Sequence, residues 1–212
     1  MSDAETVEAS VREARRHTLE RTIMFTDAAV AIALTLLVLP LVDLAQEATQ
    51  NSVGDVLGDH VQDLFSFVLS FVVVSRFWSV HLGLWKFLED YSGGLFALNT
   101  CWLLTVVFLP VPTALLATDS GLSPTGTRVY LATLVAATAL ITAQTWLIRR
   151  RPRLRRAYVS DAIMRANVGG SVRALLVQVL ALGVAFFEPQ WGLYTLLLMI
   201  VIDRVPFLKR LG

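Results

Sequence analysis

Polar and ionisable side chains interrupt three long apolar stretches in the first half of the chain, and these are the residues that could do chemistry. The first stretch holds Thr26 and Asp27, the second Arg76 and His81, and the third Asn99. A carboxylate near an imidazole can transfer protons or bind cations. The same groups can instead hydrogen-bond to one another and fix how helices pack in a membrane. Which of these applies depends on the elements that carry them.

The elements that carry them are long enough to be transmembrane helices. Hydrophobic residues make up 55% of the 212 residues and charged residues 17%, which is more apolar surface than a soluble core can bury. Crossing ~30 Å of hydrocarbon takes about 20 residues of helix. Six stretches qualify: residues 22–42, 61–86, 93–117, 127–148, 170–187 and 190–208. We therefore predict an all-α integral membrane protein with a single six-span domain over residues 1–212.

The distribution of basic residues predicts the orientation, because Lys and Arg collect on the cytoplasmic side of a membrane. They concentrate in the polar lead-in of residues 1–20, at Arg21, at Lys86, in the basic connection of residues 149–169, and in residues 204–210. With six spans all of these fall on one side. The opposite side is acidic, with Arg128 its only basic residue. We predict a multi-pass protein of the plasma membrane with both termini in the cytoplasm.

The run RRRPRLRR, from Arg149 to Arg156, is the most basic part of the chain. A basic run can bind nucleic acid, but beside two spans it is typical of an orientation signal that contacts anionic lipid headgroups. We therefore predict lipid headgroups as partners here and no nucleic-acid partner.

The first three spans alternate in direction, so Asp27, His81 and Asn99 lie within about two turns of the cytoplasmic end at ~1.5 Å per residue. At one depth they can bond to each other. We favour a polar clamp between helices over direct proton or ion transfer by these groups. Arg76 could form an ion pair with Asp27, or it could extend its guanidinium group to the membrane–water interface.

A second pattern lies on another face of the first span. Ile32, Thr35, Leu36 and Leu39 recur at i, i+3, i+4 and i+7. At about 100° per residue, Asp27 lies about 140° away from Ile32. The two faces need different neighbours. By itself, an apolar stripe predicts only contact with lipid or with another helix.

The segment RTIMFTDAAVAIALTLLVLPL resembles the signature first helix of the transmembrane protein 175 family of potassium channels. In that family an arginine is followed four residues later by Phe-Ser-Asp. Arg21, Phe25 and Asp27 match, and Thr26 keeps the hydroxyl of the usual serine. The segments FWSVH in the second span and LNTCWLLTVVFLPVPTALLA in the third are also similar to the family, whereas the last three spans resemble it only in topology.

The resemblance implies a homotetramer in which the first helix of each subunit lines a central pore. Ile32, Leu36 and Leu39 would form its hydrophobic constriction, and Thr35 would be the hydroxyl linked with selectivity. The network that ties the first helix to the second and third would consist of Arg21, Phe25, Thr26, Asp27, His81 and Asn99. The implied function is a potassium-permeable channel without a carbonyl filter. It would be no enzyme and would hold no cofactor and no metal besides the permeating potassium.

A secondary transporter or a proton-coupled cation carrier is the alternative. Such a protein should carry a helix broken at mid-membrane or an inverted repeat. Gly169 and Gly170 stand at the predicted start of the fifth span, and the first-helix signature has no second copy. A membrane enzyme is a further class, for which Asp27 with His81 is the sole candidate pair.

Overall fold

A computed structural model shows helices over most of residues 3–47, 49, 52–118 and 121–194, which are the residues that the structure describes. The helices are α1 (Asp3–Leu36), α2 (Leu39–Glu47), α3 (Val53–Asp59), α4 (Val61–Trp85), α5 (Gly93–Phe108), α6 (Pro110–Ala114), α7 (Pro124–Arg150) and α8 (Asp161–Val184). A 3-10 turn covers Pro152–Leu154, and residues 189–194 are helical. Two-residue strands β1 (Ala117–Thr118) and β2 (Gly121–Leu122) pair antiparallel.

Five described helical stretches are long and apolar enough to cross a membrane. They are Thr6–Val42, Val61–Trp85, Gly93–Ala114, Pro124–Arg150 and Asp161–Val184. Each overlaps one of the first five predicted spans. Most of the sixth predicted span, residues 190–208, lies outside the described residues.

The fifth of these helices begins earlier than the sequence predicts. It starts at Asp161 rather than near residue 170, so it takes up the second half of the predicted connection of residues 149–169. Ser160 caps it, with its Oγ accepting a hydrogen bond from the Ile163 amide at 3.3 Å. Arginines in the first turns hide this start from hydropathy, because a helix can extend beyond the hydrocarbon.

Helix α1 is longer than a bilayer is thick. Its 34 residues span about 51 Å, against ~30 Å of hydrocarbon. The lead-in is therefore helical from Asp3 onward, and exposed i,i+4 ion pairs such as Arg12–Glu8 and Arg16–Glu20 lie along it. At the other end the helix stops before Pro40, which has no amide hydrogen to continue the ladder.

Helices α5 and α7 form the middle of the bundle. Helix α7 packs against α5 on one side and α8 on the other, and α1 packs mainly on α5 and α4. Trp102 of α5 and Tyr130 of α7 are completely buried in the shared core. Helix α1 thus lies at the edge of the bundle, and one of its faces points away from the rest of the subunit.

The described basic segments gather at one end of the bundle, as the sequence predicts. Arg15 of α1 forms an ion pair with Asp90 at 3.3 Å. The α4–α5 and α7–α8 connections lie side by side, since the Arg156 amide donates to the Phe87 carbonyl at 2.9 Å and the Glu89 amide to the Leu154 carbonyl at 2.9 Å.

Gly126 permits close contact between the first turn of α7 and the turn after α6. A Cβ at this position would lie 1.8 Å from the Leu115 carbonyl oxygen. We expect Gly126→Ala to lower the free energy of unfolding by about 1–2 kcal/mol, because backbone rather than a side-chain tip must move. Thermal unfolding of the purified protein measures this. Gly94→Ala is the control, since its nearest atom would be a Leu147 methyl at 3.8 Å; equal unfolding of the two variants would contradict the expectation.

Candidate functional site

Helix α1 has a buried face and an exposed face. Thr26 and Ala33 are completely buried. Ile32 and Leu39 are 59% and 56% exposed, and Thr35 and Leu36 are exposed beside them. The structure therefore separates the two patterns predicted from the sequence, with the polar positions turned into the subunit and the apolar stripe turned out of it.

A chain of hydrogen bonds joins α1, α5 and α4 at the buried face. The Asn99 Nδ2 donates to Thr26 Oγ1 at 2.8 Å, and Thr26 Oγ1 donates to the Thr22 carbonyl at 2.8 Å. His81 Nε2 lies 2.7 Å from Asn99 Oδ1. Because the Asn99 oxygen can only accept, His81 must donate through Nε2–H. The chain thus has one direction, from the imidazole to the backbone of α1.

The imidazole of His81 is held between two indoles. Its ring centroid lies 4.5 Å from that of Trp102, with planes 10° apart, and 4.9 Å from that of Trp85. His81 is completely buried, and its Nδ1 has no hydrogen-bond partner among the described residues. Trp85 in turn donates its Nε1–H to Gln144 Oε1 of α7 at 2.9 Å. This enclosure separates His81 from the exposed stripe, which fits a clamp better than an ion path.

Asp27 makes a separate link between α1 and α4. Its Oδ1 accepts a hydrogen bond from Trp78 Nε1 at 2.9 Å. Arg21 and Phe25, which the resemblance groups with these residues, do not join the hydrogen-bonded set. Phe25 is 67% exposed, and Arg21 is exposed and has no hydrogen bond or ion pair within the described part of the chain. Both side chains face away from their own subunit.

Further polar pairs, not predicted from the sequence, join the remaining spans. Thr138 of α7 donates to Gln178 of α8 at 2.6 Å. Ser70 of α4 lies 2.8 Å from Thr113 Oγ1 and 3.3 Å from the Tyr130 hydroxyl. The available signal was a lone amide or hydroxyl within an apolar span, which needs a partner on a neighbouring helix. Each described span is thus tied to another by at least one side-chain hydrogen bond.

Thr35 differs from the other hydroxyls because it lies on the exposed stripe. Its Oγ1 donates to the Ile32 carbonyl of the preceding turn at 2.7 Å. Since the only hydroxyl proton is used in this bond, the oxygen can offer only lone pairs to the outside. The exposed stripe therefore combines apolar side chains with one oxygen that can interact with a cation.

Permanent metal binding has no comparable support. Within the described ranges, no group of three or more His, Cys, Asp or Glu side chains could hold a metal ion. Thr26 and Asn99 instead bond to each other, and Asn99 bonds to His81.

Residues 21–110 match a family model described as "Endosomal/lysosomal potassium channel TMEM175". The match runs from Arg21 in α1 to the start of α6 and includes both faces of α1 and all members of the buried network. The predicted resemblance to the TMEM175 family is confirmed. The match does not extend over α7 and α8, which agrees with the weaker sequence likeness of the last three spans.

The fold of most of the chain is similar to that of a solved structure. A crystal structure described as a lysosomal potassium-selective channel TMEM175 homolog from Chamaesiphon minutus is similar, with a TM-score of 0.72 over 87% of this chain and 95% of that chain. The two sequences are 17% identical. No curated protein sequence matches this chain.

Proposed function

We propose that this protein is a potassium-permeable channel formed by four copies, with α1 of each copy around the central axis. The observation that carries the proposal is the stripe of Ile32, Thr35, Leu36 and Leu39, which is exposed on a helix whose opposite face is fixed by buried hydrogen bonds. One subunit has a single candidate pore helix, so a symmetric pore needs several copies. The family match to residues 21–110 supports a potassium channel.

The stripe accounts for both closure and selectivity in such a pore. A ring of Ile32 side chains, with Leu36 and Leu39 beyond it, expels water, and an ion that loses its water there gains no ligand in return. A ring of Thr35 hydroxyls provides acceptor oxygens to a partly hydrated cation. Each subunit contributes only one threonine hydroxyl, whereas a carbonyl filter surrounds the ion with several rings of oxygens. We therefore expect a modest preference for potassium rather than the strong discrimination of a carbonyl filter.

The buried network would hold the pore helix and would not contact the permeating ion. Thr26 and Asn99 are enclosed between α1 and α5, and His81 is stacked between indoles. Arg21 and Phe25 face outward at the same level of α1, where a neighbouring subunit would pack in a tetramer. We infer that these two side chains act between subunits, whereas the hydrogen-bonded set acts within one.

We infer an orientation with the basic end in the cytoplasm and the protein in the plasma membrane. The basic connection of residues 149–169 then lies at the level of anionic lipid headgroups. At the opposite end, the exposed carboxylates of Asp55 and Asp59 would raise the local cation concentration near the outer mouth.

The transporter alternative gains no support from the described spans. Helices α4, α7 and α8 run unbroken for 25, 27 and 24 residues. The breaks after Leu36 and Phe108 lie within the last seven residues of their spans, away from mid-membrane. A carrier of the broken-helix type needs an interruption at mid-membrane that exposes backbone to the substrate.

Thr35→Ala tests the selectivity assignment. We expect its potassium-over-sodium preference to fall about fivefold, equivalent to roughly 1 kcal/mol, because the acceptor oxygens are lost. The measurement is flux into liposomes containing the purified protein, under potassium and sodium gradients. Thr100→Ala is the control, since Thr100 is also exposed and also bonds its own helix, through the Phe96 carbonyl of α5. Folded, inserted wild-type protein without flux would overturn the channel, and an unchanged preference in Thr35→Ala would overturn the role of Thr35.

A further inference from the structure

A cavity of about 300 Å³ lies between the end of α7 and the start of α8, away from the exposed stripe of α1. It is lined by Trp146, Arg149, Arg150, Asp161 and Arg165. The channel proposed above gives it no role. Three guanidinium groups lining one cavity repel each other unless an anion or a set of acids compensates them.

The acids in the described structure do not compensate them. Asp161 is the one carboxylate that lines the cavity, and its Oδ1 already accepts from Arg155 Nη2 at 2.7 Å. Arg155 is 9% exposed, and its Nη1 has no partner among the described residues. Arg149, Arg150 and Arg165 form no ion pair within those same ranges. The charges of Asp161 and Arg155 cancel each other. The three remaining arginines therefore give the cavity an excess of three positive charges.

Arg150 is held in a geometry suited to an anion. Its guanidinium lies over the Trp146 ring, 3.9 Å from the ring centroid. Stacking fixes the plane of the guanidinium and leaves its N–H groups free in that plane. Such a fork matches two oxygens of a phosphate group, and charge-assisted bonds of this kind are about twice as strong as neutral ones.

The position of the cavity matches the level of lipid phosphates. Trp146, Arg149 and Arg150 lie in the last turns of α7, which is one of the membrane-spanning candidates. A tryptophan followed by arginines at a helix end is typical of the membrane–water interface. We therefore expect the cavity to open where the hydrocarbon ends.

We propose that this cavity binds a phosphate group, with Arg149, Arg150 and Arg165 donating to its oxygens and Trp146 orienting Arg150. The phosphate can belong to an anionic phospholipid headgroup or to a free phosphate, since both present the same oxygens. The proposal needs no ion conduction, so its tests are independent of the channel.

In the first test, the purified full chain is reconstituted in lipid discs of phosphatidylcholine with equimolar phosphatidylglycerol. Native mass spectrometry then measures which lipids the protein retains. We expect Arg149→Gln/Arg165→Gln to lower phosphatidylglycerol retention at least about tenfold, because two charge-assisted contacts are lost. Arg151→Gln/Arg153→Gln removes the same charge from exposed positions that do not line the cavity and should leave retention unchanged. Equal loss in the two double variants would overturn the site in favour of general surface charge.

The second test distinguishes the sources of the phosphate. Titration of inorganic phosphate into the detergent-purified protein, followed by calorimetry, should give heat with wild type and none with the cavity variant if the ligand is a free phosphate. Retained phosphatidylglycerol without such heat assigns the cavity to a lipid headgroup. If the protein binds neither inorganic phosphate nor phosphatidylglycerol, the proposal is overturned.

Arg150→Lys keeps the positive charge but removes the planar guanidinium, and it is the variant least expected to disturb folding. Phosphatidylglycerol retention equal to that of wild type would overturn the role of the stacked guanidinium.

Discussion

Ile32→Asn should raise potassium flux through the reconstituted protein by about tenfold or more, because a polar ring stays wet and removes the barrier to a partly hydrated ion. The side chain is 59% exposed in the single subunit, so the substitution costs the subunit little packing. The measurement is potassium uptake into liposomes at equal protein content. Since Thr35 is unchanged in this variant, the preference for potassium over sodium should persist while the total flux rises.

Two controls make the result specific to the stripe. Ile32→Leu keeps the ring apolar and should conduct like wild type. Leu104→Asn introduces the same amide at a position of α5 that is 70% exposed. An increase in Leu104→Asn equal to that in Ile32→Asn would point to general membrane leakage and contradict a constriction at Ile32.

Asn99→Leu should have the largest effect on stability among the network substitutions, about 3 kcal/mol of unfolding free energy. Asn99 serves two partners at once, and a leucine leaves the His81 Nε2–H without an acceptor and Thr26 Oγ1 without a donor. Interhelical hydrogen bonds in membranes contribute about 0.6 kcal/mol on average. The larger value is expected here because His81 is enclosed and cannot turn to another partner.

Unfolding of the purified protein in denaturant, with Thr100→Ala as the reference on the next residue of α5, measures this effect. Thr26→Ser and Thr26→Val give a finer comparison. The serine keeps the hydroxyl that Asn99 needs, and the valine keeps only the shape. Equal stability of the Ser and Val variants would contradict a hydrogen-bonded role for this position.

The division of α1 into two faces could be predicted from the sequence. Helical periodicity sets Asp27 and Ile32 about 140° apart whichever helices surround them. Composition likewise located the five spans that the structure describes, because hydrocarbon requires about 20 apolar residues whatever the tertiary arrangement. Both predictions depend only on local geometry and on the solvent.

The partners across helices could not be predicted in the same way. Trp85 meets Gln144 across 59 residues of sequence, and this pairing depends on how α4 and α7 are rotated about their axes. Rotation is set by the packing of the whole bundle, including fully buried groups such as Trp102. The same limit applies to Trp78, whose contact with Asp27 depends on the rotation of α4 relative to α1.

The start of α8 differs from the predicted start of the fifth span for a different reason. Hydropathy reports where lipid surrounds a segment, and Arg165 moved the predicted start of the span toward residue 170. Helix formation follows from backbone hydrogen bonds and from the Ser160 cap, neither of which requires an apolar environment. Span boundaries and helix boundaries are therefore two separate predictions.

The polar pairs between spans also fix the rotation of each helix about its own axis, because a hydrogen bond breaks when its donor is turned away from its acceptor. Helix α1 is bonded to α5 through Thr26 and to α4 through Asp27, α4 is bonded to α7 through Trp85, and α7 to α8 through Thr138. A purely apolar interface would let neighbouring helices rotate relative to each other, whereas these hydrogen bonds prevent that rotation. We therefore expect each subunit to tilt as a rigid body when the α1 helices of the proposed channel move apart. No single helix should rotate about its own axis.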